Sequence, residues 1–400
     1  MKSFKLNLLA VGAMLAAGAV SAQDIPKYEL YGVVGAGVVA ADGFGAGTNK
    51  NWTGYADQLH NSNRLGFRGG KDLGDGITVK YTLETNFATA SGATGKDSGG
   101  TGIEGADSTS SGPFFDREAN LQITEKDYGT LTMGRGKNFL YNVLDEFDSR
   151  GNWNLGGLKP IARYAGFYSG SNVSRFDRMV RYSSNSINNF KFDFAHQFGN
   201  TVNTTASGWD STVKSANNFG LRYTNDGLDV AVTNETVRTG SSTTTATEKI
   251  NLFAVKYQLT PQVLVNYITA KTSNPSVSGG GTSSGVFGVT SGKVDNKTTA
   301  NTNVVGLVYR HNEKMSFNFG NYQVVDRVTA GIDNVSMNSL GMVYTVAKGF
   351  DVNLDYIRAN RKAAAASSFT IFDRLLPDGS AVSESKVSQS AFALGVQYRF

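Results

Sequence analysis

The feature that most constrains this chain is its last segment, which alternates apolar with small or polar side chains from Lys386 to the terminal Phe400. The apolar positions are Phe392, Leu394, Val396, Tyr398 and Phe400. A period of two indicates a β-strand with unlike surroundings on its two sides. A strand with an apolar outer face and a polar inner face, ending on an aromatic residue, is what a transmembrane β-barrel requires.

The opposite end of the chain indicates export. Lys2 and Lys5 precede an apolar run from Leu6 to Val20. We interpret residues 1–22 as a cleavable secretory signal cut after Ala22, which leaves 23–400 as one domain. The alternative is a membrane anchor helix, but an apolar run of about 15 residues falls short of the roughly 20 that span a bilayer.

Composition agrees with a barrel that crosses a membrane as strands. The chain has 47 glycines, 6 prolines and a mean hydropathy of −0.25. Such a hydrophilic average is expected when half of each strand faces water. The chain contains no cysteine, so disulfides do not hold this exported protein together.

The connections between alternating segments sort into two classes, which give the strand count. Seven are tight and rich in turn formers: Lys71–Gly76, Glu125–Gly129, Asn185–Asn189, Asn225–Gly227, Thr260–Gln262, Asn312–Lys314 and Ala347–Gly349. Eight are longer: Asp42–His60, Ala90–Pro113, Phe139–Asn172, Asn200–Lys214, Thr239–Ala246, Ser273–Thr298, Val328–Asp333 and Ala364–Glu384. Because the two classes alternate, we predict an all-β, sixteen-stranded antiparallel barrel with both termini in the periplasm and a water-filled interior.

The third long connection carries an apolar stripe. Leu140, Val143, Leu144 and Phe147 fall at helical spacing, which predicts a short helix with one apolar face. Such a face could pack on the inner wall of a wide barrel. The alternative is a solvated outer loop with an isolated helical turn, and the local pattern leaves both open.

Several short motifs, in order along the chain, resemble those of general bacterial porins of the Gram-negative, proteobacterial type. They are Asn63–Gly69, Tyr128–Arg135, Tyr141–Arg150, Val180–Ser183 and Gly395–Phe400. The resemblance implies an outer-membrane homotrimer in which loop 3 folds into each lumen. It also implies passive diffusion of small hydrophilic solutes and ions, contact with outer-membrane lipid, and recognition of Phe400 by the outer-membrane assembly machinery.

In that family, a ladder of basic wall residues faces acidic residues on the third loop. The matching basic positions are Arg64, Arg68, Arg117, Arg175 and Arg181. Arg64 and Arg68 alternate with apolar neighbours, and Arg175 and Arg181 share parity. Strict alternation places Arg117 on the lipid side, so its assignment requires a bulge or a position above the membrane band.

The matching acidic positions on the third loop are Asp145, Glu146 and Asp148. The arginines outnumber these acids, and removal of Lys2 and Lys5 changes the formal charge from +5 to +3. We therefore expect a weak anion preference. A substrate-specific channel for sugars or anions is the alternative function with the same architecture.

Enzymatic and nucleic-acid functions find little support in the sequence. His60, His196 and His311 lie on distant segments without metal-ligand spacing. Gly92–Asp97 is too short for a phosphate-binding loop, and no Gly-x-Ser-x-Gly elbow flanks a helix. Lysine and arginine are spread between strands, without a basic patch. We predict no catalysis, no metal, no cofactor and no nucleic-acid partner.

Overall fold

The computed structural model describes most of the chain from residue 27 onward. The described residues are 27–44, 50–90, 92, 94, 114–151, 154–159, 161, 175–199, 201–203, 208–210, 215–240, 245–273, 299–328, 331–369 and 382–400. The secretory signal expected at residues 1–22 lies outside them. Among the described residues, no helix is long and apolar enough to cross a membrane.

Nineteen strands and one well-defined helix make up the described structure. The strands are β1 (Lys27–Phe44), β2 (Lys50–Asp57), β3 (Arg64–Gly74), β4 (Ile77–Asn86), β5 (Glu118–Glu125), β6 (Gly129–Lys137), β7 (Arg175–Ser184), β8 (Phe190–Gln197), β9 (Thr201–Asn203), β10 (Gly208–Asp210), β11 (Ala216–Asn225), β12 (Leu228–Gly240), β13 (Thr245–Gln258), β14 (Val263–Ser273), β15 (Thr299–Arg310), β16 (Met315–Val328), β17 (Gly331–Ala347), β18 (Phe350–Phe369) and β19 (Val382–Arg399). The helix, α1, spans Phe139–Phe147.

The main sheet closes on itself as a barrel of sixteen strands. β1 pairs antiparallel with β19, with Val33 opposite Arg399. The same β1 pairs with β3 through its first half and with β2 through its second half. β2 and β3 therefore form one interrupted barrel strand, whereas β9 and β10 form a separate two-stranded sheet. The predicted sixteen-stranded antiparallel barrel is confirmed.

The connections follow the predicted alternation of short and long, with one difference. All seven tight turns join the expected strands, as at 226–227 between β11 and β12. However, two connections predicted to be long are short, because β12 pairs with β13 out to Gly240 and Thr245, and β16 pairs with β17 out to Val328 and Gly331. Backbone pairing with the neighbouring strand accounts for this continuation at both places.

Side chains alternate between an apolar outer face and a polar or small inner face. On β11, Phe219 is 55% exposed whereas its neighbour Asn218 is fully buried. On β17 and β18, Leu340 and Tyr356 are exposed, and Ser339 and Asp355 are buried. The exposed apolar side chains form a belt around the barrel, so the alternate positions line its interior.

The end of the chain completes the ladder. Phe400 donates its amide to the Gly32 carbonyl (3.2 Å), and Gly32 donates in return to the Phe400 carbonyl (3.1 Å). The Phe400 ring stacks on Tyr398 with 5.9 Å between centroids. A Cβ at Gly32 would lie 2.5 Å from the Phe400 ring, so glycine is needed for this close approach.

Candidate functional site

The apolar stripe of the third long connection forms α1, as its spacing predicts. Asn138 caps the helix, because its side-chain oxygen accepts a hydrogen bond from the Tyr141 amide (2.8 Å). Leu140, Val143 and Leu144 are buried. The helix packs mainly against β8 and β11–β14.

The start of α1 is fixed to the inner faces of β11 and β12. The Phe139 amide donates to the side-chain oxygen of Asn218 (3.2 Å), and Asn138 donates its side-chain amide to Glu235 (2.7 Å). Gly220 leaves room for the Phe139 ring, since a Cβ there would lie 2.0 Å from a ring carbon. The helix therefore begins directly against the interior wall.

The residues that follow α1 reach the inner faces of β15 and β16. One carboxylate oxygen of Asp148 accepts from the Tyr322 hydroxyl (2.8 Å), and the other accepts from the Leu158 amide (2.7 Å). The Ser149 hydroxyl donates to the Phe319 carbonyl (2.7 Å). A Cβ at Gly306 would lie 2.3 Å from the Ser149 oxygen, so this glycine again provides the space.

A buried ion cluster holds the segment against β18. The Asp355 carboxylate accepts a hydrogen bond from the guanidinium of Arg150 and lies 2.5 Å from the His60 ring nitrogen. Arg150 and Asp355 have fully buried side chains. Gly341 borders this cluster, and a Cβ there would collide with the Arg150 guanidinium.

Backbone hydrogen bonds tie the same segment to the break between β2 and β3. The Asn154 amide donates to the His60 carbonyl (2.8 Å), and the Leu155 amide donates to the Leu59 carbonyl (3.0 Å). With the contacts to β11, β16 and β18, these bonds place the segment along the inner faces of successive strands, from β11 round to the break between β2 and β3. We refer to the described residues 138–151, 154–159 and 161 as the crossing segment.

A cluster of arginines lies on the wall formed by β3–β7. Arg117 donates to Glu84 and to the side-chain oxygen of Asn86 (2.9 Å), and Arg64 lies 3.7 Å from Glu84. Arg175 lies 3.7 Å from Glu118. Of these side chains Arg64 is the most exposed, at 26%.

Arg175 connects this wall to the helix. Its guanidinium carbon lies 5.6 Å from the centre of the Tyr141 ring, over which the Lys137 ammonium also lies at 5.2 Å. In such cation–π contacts the cations are attracted by the quadrupole of the ring face. Burial and the neighbouring Asp145 raise the pKa of the Tyr141 hydroxyl, so it stays neutral.

Arg117 lies on the interior side, although strict alternation along the strand places it on the lipid side. β5 begins at Glu118, so Arg117 lies outside the strand and its side chain turns inward to Glu84. The alternation between Arg175 and Arg181 is also interrupted along β7, although both side chains contact interior groups. The register shifts between Gly134 and Gly136 on β6, and Arg178 adopts a φ of +48°.

Two of the five predicted arginines lie apart from this cluster. Arg181 pairs with Asp193 on β8 (2.7 Å) and donates to the Lys137 carbonyl (2.8 Å). Arg68 forms a two-point pair with Glu29 (2.8 and 3.0 Å), and both side chains are 54% exposed. Arg68 is four residues nearer than Arg64 to the tight turn between β3 and β4.

The three loop acids occupy different environments. Asp145 pairs with Lys137 (2.9 Å), and Glu146 pairs with Arg222 (2.5 Å) and is 46% exposed. Asp148, by contrast, is buried among the hydrogen bonds that hold the crossing segment. Asp148 is therefore shielded from water, unlike Glu146.

Three cations near the helix are absent from the predicted set. Arg222 and Lys256 lie over the Phe147 ring at 5.4 and 4.8 Å, and both pair with Asp229 (2.5 and 3.3 Å). Lys137 is the third. The inward parity of Arg222 beside Phe219 and Leu221 was a usable signal, but nothing in the sequence relates it to Phe147. Within the described part of the chain, no three His, Asp or Glu residues are grouped to hold a metal ion.

Comparisons with known proteins agree with this architecture. The profile of the Gram-negative porin family matches residues 9–364. An outer membrane porin protein of Bordetella pertussis is 26% identical over 377 residues, covering 86% of this chain and 91% of its own. Outer membrane porin protein 32 of Delftia acidovorans is 24% identical over 198 residues, covering 48% of this chain and 50% of its own.

Solved structures share the fold at lower identity. An anion-selective porin from Comamonas acidovorans has a TM-score of 0.72 at 16% identity, covering 94% of this chain and all of that one. Salmonella typhi OmpF, in complex with daunomycin, has a TM-score of 0.59 at 15% identity, covering 94% of this chain and 98% of that one.

Proposed function

Because the chain belongs to the Gram-negative porin family and forms an outer-membrane diffusion channel, we propose that its narrowest part lies between the crossing segment and the arginine wall of β3–β7. Small hydrophilic solutes and ions pass this waist without chemical change. The observation that carries the proposal is the set of contacts by which the crossing segment reaches inward-facing residues of β11, β16 and β18, namely Asn218, Tyr322 and Asp355.

Exposure decides which charges a passing solute meets. Side chains of Arg64, Lys137, Arg222 and Lys256 are 26%, 34%, 25% and 21% exposed. Glu84, Asp193 and Asp229, the partners of Arg64, Arg181 and Arg222, are at most 8% exposed. These three carboxylates thus lie behind Arg64, Arg181 and Arg222. Carboxylates that present charge to water are Asp145 and Glu146 of the loop acids, and Glu118 and Asp177 at 15% and 37% exposure.

We infer a weak anion preference from this layering. A narrow aqueous passage bounded by low-dielectric walls focuses the potential of its exposed charges. The buried carboxylates compensate most of that charge, so the preference is modest. The Comamonas porin, described as anion-selective, supports the same sign.

The test is the reversal potential of single channels in a planar bilayer under a salt gradient. We expect an anion-favouring value that moves toward zero in Arg64→Gln, because this side chain is the most exposed arginine of the cluster. Arg68→Gln is the matched control, since it removes the same charge at a paired position nearer the periplasm. A cation-favouring value, or equal shifts in both variants, would contradict the assignment of the waist.

The same recording tests the alternative of a substrate-specific channel. A general channel passes large, steady currents that small uncharged sugars reduce only in proportion to size. Conductance that one solute blocks at low concentration would instead indicate a specific binding site.

We further propose a homotrimer. OmpT of Vibrio cholerae, whose in-vitro folded trimer form has a TM-score of 0.55 to this chain, supports the proposal. Native mass spectrometry of the detergent-extracted protein tests it: a single species of three chains is expected, and a monomer under mild extraction would exclude it.

Export and assembly complete the proposal. Residues 1–22 are removed after Ala22, which N-terminal sequencing of the membrane protein tests. Phe400 serves as the signal for the assembly machinery, and its position at the exposed end of β19, against Gly32, fits this role. Deletion of Phe400 should lower the amount of barrel in the outer membrane while the exported precursor pool rises.

A further inference from the structure

Three cations form one group on the inner wall of β8 and β11–β13, at the end of the barrel that carries the tight turns. In the ladder between β8 and β11, Lys191 lies directly opposite Arg222. In the ladder between β12 and β13, Lys256 lies directly opposite Asp229. The Asp229 carboxylate joins Arg222 (2.5 Å) to Lys256 (3.3 Å). We refer to Lys191, Arg222 and Lys256 as the inner basic group.

The pairing of Lys191 with Arg222 places two like charges face to face. Lys191 has the same parity along β8 as the buried Asp193, so it points into the barrel, where its side chain is exposed. Asp193 itself pairs with Arg181. Like charges directly opposite each other destabilise an antiparallel sheet, because their Cβ atoms are only about 4.5–5.5 Å apart. Such an arrangement is favourable when an anion lies between the two cations.

Asp229 fixes the orientation of Arg222. Its two oxygens accept hydrogen bonds from Nε (2.7 Å) and Nη2 (2.5 Å) of the guanidinium. The same carboxylate lies beside the Lys256 ammonium and is only 7% exposed. Arg222 is therefore held from one edge, which leaves Nη1 for another acceptor.

That acceptor is a carboxylate brought in by the crossing segment. Nη1 of Arg222 donates to Glu146 at the end of α1 (2.5 Å), and the Lys256 ammonium donates to the Glu146 carbonyl (3.1 Å). The Glu146 side chain is 46% exposed, so water reaches this pair. Ion pairs with this exposure are weak, and a solute anion can therefore compete with Glu146 for Arg222.

We propose that the inner basic group binds phosphomonoesters, and that Glu146 is a tethered carboxylate which the solute displaces from Arg222. Arginine offers paired donors that match phosphate oxygens, and lysine adds point charges on either side. The inference rests on the proposed function, because solutes must enter the lumen to reach the group. It adds a site for one class of solute on the wall away from Arg64.

Charge complementarity selects a compact dianion. Three cations with Asp229 and Glu146 leave one net positive charge, which becomes two when Glu146 moves away. A phosphomonoester carries about 1.5 to 2 negative charges at pH 7, so it neutralises the vacated group. A monocarboxylate only replaces Glu146 with its own equivalent, and gains little from the exchange.

The experiment measures binding of glycerol 2-phosphate to the detergent-purified protein by the line width of its ³¹P resonance, at low salt. Glycerate, a monocarboxylate of similar size, is added as a competitor. The variants are Glu146→Gln, which removes the tethered carboxylate, and Lys191→Gln, which removes one cation of the group. Lys80→Gln is the matched control, since it removes the same charge from another exposed inward position, on β4.

We expect Glu146→Gln to tighten binding of glycerol 2-phosphate about threefold to fivefold, because an exposed ion pair of that strength no longer competes. Lys191→Gln should weaken binding by about threefold, and Lys191→Arg should restore it. Lys80→Gln should bind like the unaltered protein. Glycerate should compete only at roughly tenfold higher concentration, since it carries about half the charge.

The proposal is wrong if Glu146→Gln leaves the affinity unchanged or lowers it, or if glycerate competes as well as glycerol 2-phosphate binds. Equal losses in Lys191→Gln and Lys80→Gln would likewise overturn it, because they would indicate a general attraction of anions to the lumen. The ³¹P line width is measured without current. An error in the position of the waist would therefore appear in the reversal potentials and not in this measurement.

Discussion

The two walls that the crossing segment meets are built differently, although both derive from the inner face of the same barrel. The wall of β3–β7 carries arginines such as Arg64, which remains partly exposed. The wall of β11–β18 offers glycines where loop side chains approach, at Gly220, Gly306 and Gly341. The β3–β7 wall therefore contributes charge in contact with water, whereas the β11–β18 wall, which also exposes Arg222 and Lys256, accepts the side chains of the crossing segment. We assign the β3–β7 wall mainly to conduction and the β11–β18 wall mainly to anchoring the crossing segment, and the following changes test this assignment.

The largest expected effect is a loss of stability in Asp355→Ala, on the β11–β18 wall. This change leaves Arg150 buried without its carboxylate, and losing one partner of a buried ion pair typically costs roughly 3–5 kcal/mol. Urea unfolding of the barrel in liposomes should show a lowered midpoint. Asp351→Ala is the control on the same strand, because its partner Arg399 is 50% exposed. Equal urea midpoints in the two variants would contradict the role of the Arg150–Asp355 pair in anchoring the crossing segment.

The next effect is expected for Gly220→Ala. The added methyl would lie 2.0 Å from a Phe139 ring carbon, and overpacking of this kind costs about 1–3 kcal/mol. Displacement of the helix start should also make single-channel currents noisier. The double variant Gly220→Ala/Phe139→Ala restores the space, so it should recover quiet currents. Persistent noise in the double variant would argue that the contact does not position the helix.

Within the crossing segment, substitutions of Glu146 and Asp148 should affect ion selectivity and stability separately. Glu146→Gln should increase anion preference with less than about 1 kcal/mol change in stability, since its pair with Arg222 is exposed. Asp148→Asn should do the reverse, costing about 1–3 kcal/mol through its buried hydrogen bonds while leaving the reversal potential unchanged. The measurements are the reversal potential and the urea midpoint.

The smallest effect is expected for Arg68→Gln. Its pair with Glu29 is more than half exposed, so its loss should cost about 0.2–1 kcal/mol, decreasing further at high salt. The reversal potential should remain within error of the unaltered channel. A larger shift of the reversal potential than in Arg64→Gln would indicate that the waist lies nearer to Arg68 than to Arg64.

Much of the fold follows from the sequence because barrel strands are specified locally. Alternation with a period of two fixes which face meets lipid, and turn formers such as Asp226 and Gly227 mark the strand ends. The strand count and the short helix of residues 139–147 follow from the same local patterns. Two connections were expected to be longer than they are, since pairing partners extend a strand beyond its own signal.

Fewer of the side-chain contacts at the candidate site could be predicted from the sequence. Arg117 and Arg175 fall where a strand begins or a bulge interrupts the register, so parity does not report their direction. Asp148 matches an acidic position by order in the chain, yet packing turns it toward Tyr322. The spacing of residues within a segment does not indicate which strand of the wall each loop side chain will contact.

The sequence by itself determined the closed antiparallel barrel, the direction of its faces and the helical stripe of the third connection, because each depends on neighbours within a few residues. Only the tertiary structure decided that Arg150, Asp355 and His60 meet, and that Gly220 and Gly341 receive the crossing segment. Those contacts join residues as far as 295 positions apart, and their partners are set by the geometry of closure, which no local pattern encodes.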